Sequence, residues 1–125
     1  MQSHSPKISA LVAAAALMLA PACAAPQRVE TLQTAQIVIT TAANGLIVYD
    51  KPHEVELANT GTPDQAAAAL TAYRAKRKRF DAALAVAANA LIIAGTLNDQ
   101  PSVDGLKKAI AEMATAYQDL KGIKP

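Results

Sequence analysis

Apolar and small positions recur with alternating steps of four and three from Ala66 to Asn98: Ala66, Leu70, Tyr73, Arg77, Phe80, Leu84, Ala87, Leu91, Ala94, Asn98. A seam of that period predicts one long helix lying side by side with others. Its start is written locally. In Thr62-Pro63-Asp64-Gln65, Thr62 suits the cap, Pro63 the first helical position and Asp64 the positive end of the dipole. Gln65 closes a capping box. Asn98-Asp99-Gln100-Pro101 ends the rod, which is predicted over 63–97. Beyond it, with Ser102 or Asp99 as cap, Val103, Leu106, Ile110, Met113, Tyr117 and Leu120 repeat the three-four spacing. A second helix is expected over 102–121, stopped at Gly122.

Ahead of the rod the pattern is ambiguous. Val29, Leu32, Gln36, Ile39, Ala43 and Leu46 keep helical spacing. Ile37-Val38-Ile39-Thr40-Thr41 is β-branched, however, and Asn44-Gly45 is a hairpin signal. A helix over 28–50 is preferred to a hairpin of 36–42 with 46–50. The strand pattern does not alternate cleanly, and a lone hairpin is marginal in water. Lys51-Pro52 is expected to break or kink this helix, leaving residues 53–61 as a polar connector with room for one helical turn over Glu54–Ala58. The fold expected is all-α: an antiparallel three-helix bundle with a long central helix, forming one domain over residues 26–125. Its third helix should cover the C-terminal half of the central one, placing Met113 near Ala87 and Leu120 near Phe80. The apolar stretch Ala82–Ala94 should need cover on more than one face.

The first 25 residues follow another plan. Lys7 and the amino terminus precede an apolar run, Ile8–Ala20, followed by the small residues Ala22, Cys23, Ala24 and Ala25. About thirteen apolar residues are short for a membrane span and right for the core of a signal peptide. Ala22-Cys23-Ala24 fits a small-x-small site cut before Ala25. Leu19-Ala20-Pro21-Ala22-Cys23 also resembles the bacterial lipobox, although Ala20 stands where leucine is typical and Pro21 is unusual beside the cut. That resemblance implies lipid on Cys23 and, with neutral Ala24 following, delivery to the outer membrane. Outside the leader no run of 18 apolar residues occurs, so no membrane span is expected in the mature chain.

Composition narrows the chemistry. The 125 residues are 52% hydrophobic but 3% aromatic, so the core should be thin and rich in alanine. Net charge is +2, and loss of the leader leaves eleven basic against ten acidic residues. Such a balance gives little long-range attraction to nucleic acid, and no nucleic-acid partner is expected. Arg74, Lys76, Arg77, Lys78 and Arg79 form a basic cluster that splays around a helix instead of lining one face. The plain interpretation is a solvated waist paired in part to Asp81 and Asp119; the functional one is contact with an anionic surface. Arg77 falls on the seam, where a charge must snorkel or pair. Asp50, Glu54 and Glu56 are within its reach only if the first helix extends that far.

Residues 26–125 hold one histidine, His53, and one serine, Ser102, so no metal site, cofactor or catalytic triad is expected, and no enzyme. The expected role is that of an exported envelope lipoprotein, structural or accessory. Leu70, Tyr73 and Arg77 would be its contact surface for a second copy or an envelope protein. The alternatives are a helical module binding a small molecule or lipid in the periplasm and a prophage-encoded envelope accessory, for which no residue argues.

Overall fold

The computed structural model describes residues 25–122, and these form three helices with no strand among them: α1 (Ala25–Ala58), α2 (Pro63–Leu97) and α3 (Gln100–Leu120). Residues 1–24 of the leader, Cys23 included, and the tail Lys124-Pro125 lie outside the described residues. At 1.5 Å per residue, α1 and α2 are each about 50 Å long and α3 about 30 Å. Each helix packs on the other two, giving a helical bundle. Ion pairs Asp50–Arg77 and Glu54–Arg74 set α1 antiparallel to α2. The Phe80–Tyr117 ring pair and the Asp119 contacts to Lys76 and Arg79 do the same for α3 against α2.

The α2 seam is buried at every seventh residue: Ala66, Tyr73, Phe80, Ala87 and Ala94. The positions between them, Leu70, Arg77, Leu84 and Leu91, are half-buried. Phe80, Leu106, Ile110, Met113, Val38 and Val103 are the largest fully enclosed side chains, so the core lies where all three helices overlap. The ends follow the sequence signals. Gln65 N–H donates to Thr62 Oγ1 at 3.2 Å while Thr62 N–H donates to Gln65 Oε1 at 2.9 Å, completing the capping box. Asp99, not Ser102, caps α3, accepting from Ser102 N–H at 2.9 Å. Asn98 adopts a left-handed conformation (φ 51°) that closes α2.

Four expectations need correction. First, α1 does not stop near Asp50; it runs through Pro52 to Ala58. Proline removes one amide donor, but Tyr49, His53 and Leu57 lie on the side turned to α2 and α3. Their contacts hold the next turn and a half in helical form. Second, Asn44-Gly45 turns no hairpin. A Cβ at Gly45 would collide with the Tyr117 hydroxyl, so the glycine is where α3's tyrosine reaches α1. Third, α2 is long and apolar enough, by length and composition, to cross a membrane. One 18-residue window has mean hydropathy 1.8, with 17% of it buried in the bundle. Asp81 and Asn89 interrupt the apolar run without removing this property. Nor does the bundle cover Ala82–Ala94 all round: Val86, Ile92 and Ile93 are exposed.

Candidate functional site

Extension of α1 past Pro52 builds a cluster that the sequence alone does not announce. Tyr49 and His53, one helical turn apart, stack at 4.6 Å between ring centroids. Tyr73 of α2 meets His53 edge-on at 4.8 Å. The Tyr73 hydroxyl donates to Asp50 Oδ1 at 2.8 Å, and Arg77 Nη1 reaches Asp50 Oδ2 at 2.8 Å. Asp50 thus joins the aromatic cluster to the basic run. The end of α3 closes over it: Lys121 Nζ lies 4.5 Å from the Tyr49 ring centroid and 5.5 Å from that of Tyr117. Burial, reinforced by the hydrogen bond to Asp50, pushes the Tyr73 phenol well above its ordinary range. Burial also raises the Tyr117 phenol and, with the nearby Glu56 charge, that of Tyr49.

These rings wall an open cleft of about 310 Å³, completed by Leu57, Lys76 and Leu120. A second hollow, about 460 Å³, shares Tyr49 and His53 and adds Val48, Pro52 and Glu56. Both are shallow, and a ligand in either would keep a face in water, unlike one in an enclosing pocket. His53 Nδ1 lies 3.4 Å from Glu56 Oε1, and no serine, threonine or cysteine is among the described residues lining either hollow. No group of three potential metal ligands occurs among the described residues. The cleft offers aromatic faces and the two ammonium groups of Lys76 and Lys121.

The residues singled out by the sequence fall as follows. Tyr73 is buried, and Leu70 and Arg77 are half-buried, because the extra length of α1 lies over this part of α2. Four members of the basic cluster are paired. Arg74 meets Glu54 at 3.2 Å, and Arg77 meets Asp50 and, at 3.9 Å, Asp81. Lys76 and Arg79 both face Asp119, at 3.9 and 3.8 Å. Lys78 makes no ion pair among the described residues. The cluster is therefore a belt that ties α2 to both neighbours. The Tyr49–His53–Tyr73 group escaped sequence reasoning because Tyr73 is 20 residues from His53 and meets it only once the α1–α2 register is known. The i, i+4 spacing of Tyr49 and His53 was the visible half of the signal. No protein-family model matches the chain, and neither does any curated protein or solved structure.

Proposed function

We propose that this chain is a non-enzymatic helical protein of the bacterial envelope. It is a small lipoprotein exported by its leader, held to the outer membrane through lipid on Cys23, and structural or accessory in role. The observation that carries the reading is the position of the leader's end. Cys23 is two residues ahead of Ala25, where α1 begins, so a lipid there holds the bundle against the membrane with no intervening linker. The shallow hollows, which would leave a ligand partly in water, favour a contact role over turnover. Leu70 and Arg77 keep partial exposure and remain the helix-mediated contact surface of this proposal, while Tyr73, covered by α1, lies beneath them. Metabolic palmitate labelling tests it. Label should appear on the wild-type chain and vanish in Cys23→Ala; an unlabelled wild type, or equal label in both, removes the lipoprotein reading.

A second reading, a periplasmic module for a small molecule or lipid, is favoured by the aromatic cleft at Tyr49, His53 and Tyr73. Native mass spectrometry of the chain extracted from envelopes should then show added mass that Tyr73→Ala abolishes. Extraction with no adduct counts against it.

A further inference from the structure

The α1–α2 pair has a side that α3 does not cover, and its charges are sorted by sign. Asp50 and Arg77 meet across the α1–α2 contact. One residue earlier on each helix, Tyr49 and Lys76 turn to α3, meeting Lys121 and Asp119. One residue later, Lys51 and Lys78 are turned about 100° the other way. Because the helices are antiparallel, that step carries both lysines to one side, at one level, away from α3. Steps of seven follow the same line. On α1 they give Lys51, Asn44, Ile37 and Glu30. On α2 they give Lys78, Ala85, Ile92 and, just past its end, Asp99. All eight are exposed. The face is therefore basic at one end and acidic at the other. Between the ends, residues 31–49 and 82–97 contain no acidic or basic side chain. Glu30 to Lys51 and Lys78 to Asp99 are equal steps of 21 residues, about 30 Å of helix.

Lys51, Lys78 and Glu30 make no ion pair among the described residues. The carboxylates beside the lysines are engaged elsewhere: Asp50 by Tyr73 and Arg77, Glu54 by Arg74, and Asp81 by Arg77. Asp99 caps α3, and its hydrogen bonds with Ser102, helped by the Arg28 charge, hold it ionised below the ordinary carboxylate range. Ile37 and Ile92 are 63% and 66% exposed.

We propose that this side is the contact face for a second copy of the chain, packed antiparallel about a two-fold axis. The axis lies in the face and crosses the helices at the level of Thr40 and Ala88, midway between the charged ends. Rotation about it sets Lys51 opposite Glu30 of the other copy and Lys78 opposite its Asp99, and the reverse, so four pairs close together. Ile92 then meets Ala85 of the other copy, and Ile37 meets its Asn44. The small side chains at the axis, Ala88 above all, let the two layers approach. The order of charges decides the occupant. A sheet of phosphate would meet Glu30 and Asp99 with like charge. A second copy has the complementary order by construction, since turning the face end for end exchanges its signs. Two helices, each about 10 Å wide, over about 30 Å give ~600 Å² on each copy and ~1,200 Å² in total, enough for a specific interface. The proposal does not rest on the envelope reading or on the lipid at Cys23.

The test uses the full chain carrying Cys23→Ala, which removes both the acylation site and the natural thiol, with one cysteine added. Thr40→Cys lies on the axis and should form a disulfide-linked dimer under mild oxidation. Val48→Cys, exposed on α1 but turned away from the face, should lag far behind it. In the Thr40→Cys chain, Lys51→Glu sets like charges against each other twice and should slow linking about tenfold. Adding Glu30→Lys should restore it, although Glu30→Lys alone slows linking as much. Lys108→Glu, on α3, should leave the rate unchanged. Circular dichroism checks that each variant keeps its helices, and the leader, common to all, cancels in the comparison. Equal linking from Thr40→Cys and Val48→Cys overturns the proposal, as does failure of Glu30→Lys to restore what Lys51→Glu removes. So does a Thr40→Cys chain that stays unlinked and floats with phosphatidylglycerol vesicles; the face would then belong to a membrane. Palmitate labelling of the wild type can fail while this linking persists, and the reverse, so the two proposals fall separately.

Discussion

The two ends of the bundle are held together by different chemistry. Where three helices overlap, from Phe80 to Leu97, α2 contributes Phe80, Ala87 and Ala94 to a core filled by Val103, Leu106, Ile110 and Met113 of α3 and Val38 of α1. Small α2 residues let the axes approach, and branched side chains from the neighbours fill the space. Past Leu120 the third helix has ended, and α1 and α2 continue as a pair. There the contact is Tyr49, His53 and Tyr73 around Asp50, with Arg77 and Arg74 outside. A two-helix contact encloses too little apolar surface to stand on burial alone. The chain places rings there, which present large area, and charges that fix register. Specific polar contacts appear where cover is thinnest, and that is also where the cleft opens.

Four measurements press on this contrast. Phe80→Ala, at the junction of the two regions, should cost about 3–5 kcal/mol in chemical denaturation, because it empties a fully enclosed site and strips Tyr117 of its ring partner. A loss under about 1 kcal/mol would mean that the junction is not a core. Arg77→Leu should cost about 2 kcal/mol, since it leaves a mostly covered Asp50 with the Tyr73 hydroxyl alone. Hydrogen exchange should then accelerate in residues 50–58 and 63–73 and not in α3. Uniform acceleration would abolish the distinction between the two ends.

Gly45→Ala should cost about 1 kcal/mol in spite of alanine's better helix propensity, because the new methyl meets the Tyr117 hydroxyl. With Tyr117→Phe already in place the cost of the same substitution should shrink, because the nearest atom is then the ring carbon at 3.2 Å, a reduction that circular-dichroism melts would resolve. The smallest effect is that of alkali. Tyr49, Tyr73 and Tyr117 have folded-state values raised above the ordinary 10.0. Their contribution is therefore complete below pH 10 and lost as pH rises through the raised values. Tyr73→Phe should flatten the fall in melting temperature above pH 10, and an unchanged slope would separate Tyr73 from it.

Much of this was written in the chain. The heptad from Ala66 to Ala94 is buried as its spacing requires, and Thr62-Pro63-Asp64-Gln65 starts α2 as its chemistry requires. Phe80 lies against Tyr117, within a turn of the residue expected there. Arg77 finds Asp50, the partner available only to an extended first helix. The sequence was least legible in α1, for physical reasons. Residues 31–49 have no charged face to contrast with an apolar one, so periodicity there is faint. Gly45 and Pro52 are breakers by local rule, yet both are overridden by tertiary contact, with Tyr117 at one and the His53 and Leu57 contacts beyond the other. The aromatic cleft depends on that override, which is why reasoning from local propensity passed it by.

The link between α2 and α3 has a kinetic consequence. Asn98 and Asp99 alone separate the two helices, so the contacts of that hairpin join residues near in sequence, and its closure costs little chain entropy. The four-residue link between α1 and α2 closes almost as cheaply, so both hairpins should form early, and α1 is without a partner only until α2 has emerged. An interval in which the first-made helix has no partner is one in which a carrier or a membrane surface can hold it.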